Sequence, residues 1–361
     1  MFNPRADIER RAVDRLAALP FDKETGQTSR SAYGNRLGHE LECIREAGLE
    51  SRVEVAIELV DYADSKGILV GPGRRAAPSS LVLYLLGVTG IDPVANGLVF
   101  ERWLSEPGIE LDVEWERRDE LLEYLRERYG DEVDGISVLG MKPLSALSEA
   151  RKSLEFGKPS ARFWHRTGME ADETTMKLFR SGTTDGVFQF SAEAMQHALA
   201  DAKSRDFQDL VTLNGAFRPA FLTNGVFEEV VRRMAARDEV VSETVGRVFP
   251  EDRLREIGAV NDVLAETFGL MLFQEQFIGI VHRLSAWSYR ESEQYRGQVK
   301  NGFQAELGEL LDRATEAASV SERYNDDLRT LISHSRNTVL KSHVAAYALV
   351  GWMQAKNYLD S

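Results

Sequence analysis

The stretch Gly71-Pro72-Gly73-Arg74-Arg75-Ala76-Ala77-Pro78-Ser79-Ser80 divides the apolar run Ile68-Leu69-Val70 from a second apolar run, Leu81 to Leu86. Glycine and proline at this density fix a turn, so the pattern predicts a short buried strand, a loop and then a helix. A glycine-rich turn entering a helix suits an anion, because unpaired backbone N–H groups and the helix dipole face it. Downstream, Pro107-Gly108-Ile109-Glu110-Leu111-Asp112-Val113-Glu114-Trp115 alternates apolar and acidic residues, which is the period of a strand. Ile109, Leu111 and Val113 share one face, and three carboxylates project from the other. Together these segments have the layout of a site for a metal-bound polyphosphate.

The rest of the chain sets limits on partners. A formal net charge of -14 over 361 residues argues against sequence-independent grip on duplex DNA, which relies on Lys and Arg displacing counterions. Cys43 is the only cysteine, so an intrachain disulfide and a cysteine-based zinc site are excluded. Met1 to Asp14 is polar with both charge signs, unlike a signal peptide, and no apolar run reaches the roughly 18 residues of a membrane span. The expectation is a cytoplasmic protein with no membrane partner.

Helical spacing dominates elsewhere. Ile8, Ala12, Leu16 and Leu19 form a stripe in a leader, and the polar stretch Pro20 to Ser31 reads as a linker. Helices are expected from near Tyr33 to Ala47 and from Val53 to Ser65, stopped by Gly48 and Gly67. A charged amphipathic helix is expected over Glu116 to Arg128, ended by Gly130, and a short segment over Ile136 to Leu139. Beyond it the pattern is almost wholly helical, with breaks near Gly157 to Pro159, Arg180 to Gly186, Arg218 to Gly225, Phe249 to Glu251 and Gly302. The fold class is therefore α+β and mostly helical, a small mixed unit followed by a larger helical one.

Several blocks resemble, in order, the α subunit of bacterial DNA polymerase III, a C-family replicative polymerase. They are Tyr33-Gly34-Asn35-Arg36-Leu37, Lys66-Gly67-Ile68-Leu69-Val70-Gly71-Pro72-Gly73-Arg74, Gly87-Val88-Thr89-Gly90-Ile91-Asp92-Pro93 and Phe100-Glu101-Arg102-Trp103-Leu104. Arg117-Arg118-Asp119-Glu120, Leu139-Gly140-Met141, Gly186-Val187-Phe188-Gln189, Phe217-Arg218-Pro219, Phe273-Gln274-Glu275-Gln276 and Lys341-Ser342-His343-Val344-Ala345-Ala346-Tyr347-Ala348 follow. The resemblance implies a nucleotidyltransferase-like palm over residues 31–145 and a helical fingers-like domain over 146–361, after an N-terminal leader and linker over 1–30. It also implies what to look for and not find: a PHP domain before the palm, a thumb insertion between Tyr129-Gly130 and Leu139-Gly140, and clamp-binding and OB-fold regions after Ser361.

The family's chemistry is altered in this sequence. Where its members read Pro-Asp-x-Asp-x-Asp, this chain has Pro107-Gly108-Ile109-Glu110-Leu111-Asp112, so the two implied metal-ligand positions hold Gly108 and Glu110; the third falls at Ser137. Two-metal phosphoryl transfer requires carboxylates that hold two Mg²⁺ about 3.5–4 Å apart. In the loop, the family's Gly-Arg-Gly-Ser has become Gly73-Arg74-Arg75-Ala76, with a bulky cation for a glycine and a methyl for a hydroxyl. Templated DNA synthesis is not expected.

The residues that remain define the candidate site. Glu110, Asp112 and Glu114 form either a displaced ligand set, with Mg²⁺ as the candidate cofactor, or a solvated acidic strand face. Gly73, Arg74, Arg75 and Ser79 belong to the candidate anion loop, where the two arginines either grip a phosphate by forked hydrogen bonds or pair with the nearby acids. By resemblance Arg218, Arg296 and Lys300 lie toward a triphosphate, Lys341 is a further candidate anion-binding residue, and His343 is a candidate general acid or phosphate donor, alongside Glu110 and Asp112 as catalytic groups if the chain is an enzyme. Three functions compete: a non-catalytic module binding a nucleotide or a protein, an enzyme of specialised metabolism acting on a small nucleotide or other anion, and an inhibitor-binding self-resistance decoy.

Overall fold

The structure, a computed structural model, describes the chain except residues 1–3, 20–25, 131–132, 154–163, 165–171, 238–250, 252–253, 255, 301–323 and 361; the side chains of 4–6, 26–29, 151–153, 300, 325 and 360 also lie outside the description. The expected breaks at 157–159 and 302, and most of the one at 249–251, fall outside it. The fold is α+β and mostly helical, in two compact units: residues 1–168 with 345–361, and residues 169–344.

The first unit begins with α1 (Pro4–Ala17), α2 (Gly26–Glu46) and α3 (Glu50–Lys66), then short helices α4 (Leu81–Leu85) and α5 (Phe100–Ser105). Next come β1 (Ile109–Glu114), α6 (Arg118–Tyr129), β2 (Ile136–Met141) and α7 (Lys142–Ser153). Gly67 ends α3 in the left-handed region, φ 67°, which places Ile68-Leu69-Val70 in the core. The strand expected there is a single antiparallel bridge, Val70 to Val113, flanked by Gly71 N–H to the Asp112 carbonyl at 2.7 Å and Glu114 N–H to the Leu69 carbonyl at 3.3 Å. β1 pairs on its other edge with β2, in parallel, with Glu110 opposite Ser137 and Asp112 opposite Leu139. Parallel strands need a crossover, and α6 supplies it. β1 is thus the middle lane of this layer, and its sequence is buried on both faces: Ile109, Leu111 and Val113 are fully inside, and so are Asp112 and Glu114. Of the solvated acidic face, one of the two readings of the alternation, only Glu110 remains partly exposed, while Asp112 and Glu114 lie inside.

Two further expectations are corrected. Residues 26–31, read as linker, are the first turns of α2, a polar stretch that continues the helix because nothing in Gln27 to Ser31 breaks it. The break at 218–225 contains a short helix, Pro219–Asn224: Pro219 stands in its first turn and Gly225 caps its end at φ 79°, so the two residues that read as breakers are its start and stop signals.

The second unit is helical. It runs through α8 (Glu173–Ser181), α9 (Glu193–Ala202), α10 (Phe207–Ala216), α11 (Pro219–Asn224), α12 (Val226–Ala235), α13 (Gly258–Leu264), α14 (Gln274–Ser285), α15 (Tyr289–Lys300) and α16 (Asn325–His334). One of its cores gathers Leu264, Phe277, Ile280, Tyr295 and Leu331. The last helix, α17 (Lys341–Asp360), starts in this unit and continues into the first. Its start is tied down by α14. The buried Glu275 carboxylate accepts from Lys341 N–H at 2.9 Å and Ser342 N–H at 3.1 Å, and Phe273 bridges Val339. A carboxylate on the first amides of a helix satisfies donors that have no partner of their own.

Candidate functional site

The loop that leaves the Val70 bridge is fixed by glycine where it must turn. Gly73 has φ 100°, and a Cβ there would lie 2.9 Å from Pro78 Cγ and 3.0 Å from Thr89 Cγ2, so conformation and space both demand glycine. Arg75 is different. It sits at φ 50°, the left-handed region, with a long side chain. The resemblance implies glycine at this position, and the left-handed backbone is the one that glycine adopts without strain.

The start of α4, the expected anion seat, already holds an anion. Glu40, fully buried on α2, accepts from Ser80 Oγ at 2.8 Å, Leu81 N–H at 2.9 Å and Val82 N–H at 3.1 Å, and from Arg36 Nε at 2.6 Å. Burial pushes its carboxyl above the ordinary range, against the pull of Arg36 and the two amides. Arg36 also donates to the carbonyls of Ser79 at 2.8 Å and Leu98 at 3.1 Å, which ties the loop to α2. Ser79 Oγ is buried and has no hydrogen bond among the described residues.

The two arginines turn toward β1. Arg75 Nε lies 2.6 Å from Glu110 Oε1. Arg74 reaches both acids: Nε is 3.0 Å from Glu110 Oε2, and Nη1 donates to Asp112 Oδ1 at 3.2 Å. The first contact is an ion pair only, since Arg74 Nε is buried with no hydrogen bond of its own. Tyr347, on the part of α17 that belongs to this unit, donates its hydroxyl to Asp112 Oδ2 at 3.2 Å, and the Arg74 guanidinium lies 5.9 Å from the Tyr347 ring centre. Of the two open readings of these arginines, pairing with the acids is the one realised.

The electrostatics follow from depth. Burial holds the Asp112 carboxyl above the usual carboxylate range, even though Arg74 and the Tyr347 hydroxyl pull it down. Both contacts to it are long, so desolvation wins. Burial, with Asp112 next to it, raises the Tyr347 phenol as well. Burial works against the Arg74 charge, but Asp112, Tyr347 and Glu110 hold it in place, and its net shift is upward.

This donor set does not fit a pair of divalent ions. Glu114 is committed elsewhere, its Oε1 accepting from Leu69 N–H at 2.6 Å. Glu110 stands beside Ser137 in register, so the one carboxylate among the implied ligand positions already carries two guanidiniums. Gly108 contributes no side chain, and a Cβ there would meet nothing within 4 Å. Among the described residues no three His, Cys, Asp or Glu side chains are grouped so as to hold a metal ion.

The remaining candidates belong to the second unit. Arg296 is buried in a two-pronged pair with Glu293 of its own helix, at 2.6 and 2.8 Å. Lys341 Nζ lies 2.5 Å from Glu266 Oε2. His343 occupies the first turn of α17, partly exposed. The Lys300 side chain is outside the described residues. Arg218 makes no ion pair among the described residues, and burial alone lowers its affinity for its proton. Sequence reasoning missed two residues, Glu40 and Tyr347. Glu40 carried a signal: an acid on the stripe of Leu37, Leu41 and Ile44. Tyr347 lies in the stretch Lys341 to Ala348, which carries no sign of its partner.

Two families match this chain: the bacterial DNA polymerase III alpha NTPase domain over residues 8–206 and the bacterial DNA polymerase III alpha subunit finger domain over residues 147–321. Among similar curated proteins, DNA polymerase III subunit alpha of Mycoplasma pneumoniae is 34% identical over 195 residues, covering 50% of this chain and 21% of that protein. That of Mycobacterium tuberculosis is 38% identical over 134 residues, covering 35% and 11%. That of Bacillus subtilis is 22% identical over 456 residues, covering 88% and 39%. The chain spans well under half the length of these relatives.

Proposed function

Because the chain belongs to the bacterial DNA polymerase III alpha NTPase domain family, we propose that it is a member that no longer extends a primer and works by binding a nucleotide or a protein. In this reading residues 31–145 correspond to a palm and 146–361 to fingers. The observation that carries it is the state of Glu110, neutralised by Arg74 and Arg75 in a place where two-metal chemistry requires free carboxylates. The Bacillus subtilis alignment, at 456 residues, is longer than this 361-residue chain, so the relative carries inserted residues within the matched region. That is in line with a lost insertion such as the family's thumb. The charge of -14 favours a small ligand or a protein over duplex DNA, and Arg218 supplies a partly desolvated cation for an anion. Primer extension with the four deoxynucleotides and Mg²⁺ or Mn²⁺, beside calorimetry with each nucleoside triphosphate, tests the reading. The expected result is no extension, with nucleotide heats if the ligand is a nucleotide and none if it is a protein. Metal-dependent extension overturns it.

A second reading rests on Asp112. A buried carboxyl held above its usual range and hydrogen-bonded to a tyrosine is a candidate group for proton transfer. On that reading the protein turns over a small anionic substrate, and Asp112→Asn abolishes the activity.

A further inference from the structure

Away from the Arg74–Asp112 cluster, residues of α1, α2 and the first turn of α3 line a cavity of about 290 Å³. That is near the lower end of the roughly 300–1,000 Å³ that small-molecule sites occupy. Ile8 of α1 and Leu41 and Ile44 of α2 supply its apolar surface. Gly38, one turn before Leu41, leaves the wall open: a Cβ there would meet nothing within 4 Å. The charged lining is Glu9, Glu42 and Glu50 against the single base Arg45. Arg45 is already engaged, its Nη2 donating to Glu42 Oε1 at 3.3 Å. Glu9 and Glu50 make no hydrogen bond or ion pair among the described residues. The lining therefore keeps a net negative charge over an apolar floor, whereas the acids of the Arg74–Asp112 cluster are neutralised.

Two features fix the class of ligand. The charge selects a cation, and the apolar surface selects one that carries alkyl groups, because a hydrated metal ion gains nothing from Ile8 or Leu41. Among the described residues no His, Cys, Asp or Glu side chains are grouped to hold a metal ion, which agrees. The cavity also suits a small molecule better than a protein surface. None of the large exposed apolar side chains of the described residues lines it, and a stable protein interface needs about 800 Å² per partner around an apolar core.

We propose that this cavity binds a linear aliphatic polyamine. Its ammonium groups meet Glu9, Glu42 and Glu50, and the methylenes between them lie against Ile8, Leu41 and Ile44, the way a lysine stem covers apolar surface while its head stays with charge and water. The Glu42 side chain is 64% exposed, so each ion pair is weak and binding falls as salt rises.

Equilibrium dialysis of the full chain with labelled spermidine at low ionic strength tests this, beside Gly38→Leu and the double variant Glu42→Gln with Glu50→Gln, circular dichroism confirming that each is folded. Gly38→Leu fills the cavity without touching a charge, and leucine is a better helix former than glycine. The expected result is saturable binding that weakens by about tenfold or more in Gly38→Leu, which removes the space for the chain. The double variant should weaken it by about fivefold or more. Hexaamminecobalt(III), a trication of the same charge with no alkyl stem, should not displace bound spermidine at equal concentration. Binding to Gly38→Leu within about twofold of the parent overturns the proposal, because it reports only the general attraction of a chain with net charge -14 for cations. Displacement by hexaamminecobalt(III) as effective as by unlabelled spermidine overturns it too, since charge alone would then account for binding.

Discussion

Arg75 Nε sits 2.6 Å from Glu110 Oε1, and Arg75 makes that contact from a left-handed backbone at φ 50°. The left-handed region costs a residue with a Cβ roughly 1–2 kcal/mol. The ion pair offsets little of it, because the Arg75 side chain is 65% exposed and exposed pairs contribute about 0–1 kcal/mol. Arg75 is therefore held at a site that glycine would occupy without strain. Strain kept at such a position points to a role for the side chain other than stability.

Arg75→Gly is expected to be as stable as the parent or more stable by about 1 kcal/mol, while Arg75→Ala, which keeps the strain and loses the pair, is expected to fall below both. Urea unfolding of the three proteins checks the order. A glycine variant less stable than the alanine variant would show that the backbone at 75 is not strained.

The loop and the strand were readable in the sequence because glycine and a two-residue period are local signals. Glycine at 73 and the alternation from Ile109 to Glu114 say what the backbone does and which residues share a face. They do not say what covers that face. Besides Arg74, Asp112 is met by Tyr347, which comes only after the whole second unit in sequence, and no spacing rule links positions so far apart. Glu40 was missed for a related reason. Its stripe announced burial, but an acid on an apolar face has several possible partners, and only the packing of α2 against α4 selects the amides of Leu81 and Val82. Pro219 and Gly225 read as a loop in sequence because start and stop signals separated by one short helix look like one.

Glu40→Ala leaves Ser80 Oγ, two backbone amides and Arg36 without their common acceptor in a buried place. Removing one partner of a buried charged network costs about 3–5 kcal/mol. Denaturant unfolding should show a loss of that size, and Glu40→Gln, which keeps an acceptor oxygen, should lose less. A loss below about 1 kcal/mol for the alanine variant would mean that the loop does not depend on this anchor.

Acidity should act on stability in a definite sense through Asp112, whose carboxyl is raised by burial. A carboxyl with a higher proton affinity folded than unfolded takes up a proton on folding. Its contribution is fully present below the ordinary carboxylate range of about 4 and is lost as pH rises through the folded value. Glu40 and Glu275, both raised by burial, act in the same sense, and Glu58 and Glu229, both lowered, act in the opposite one. Asp112→Asn is therefore expected to remove part of the decline in stability between the acid side and neutrality, seen as a flatter unfolding free energy against pH than the parent shows. An unchanged or steeper slope would place the Asp112 carboxyl at or below its usual range.

Metal binding gives the sharpest separation between a working and a neutralised site. In the parent, Glu110 faces Arg74 and Arg75 while Asp112 faces Arg74 and Tyr347, so a divalent cation would have to displace two guanidiniums that are already in contact. Mn²⁺ titrated into the parent should give no saturable heat up to millimolar concentration. Arg74→Met with Arg75→Gly removes both cations and leaves two carboxylates two residues apart on one face of β1. Weak Mn²⁺ binding is then expected to appear, and adding Glu110→Gln should abolish it, since oxygen ligands with net negative charge are what such a cation requires. Saturable Mn²⁺ binding by the parent, lost in Glu110→Gln, would show that the arginines yield to metal and that the carboxylates remain available for chemistry.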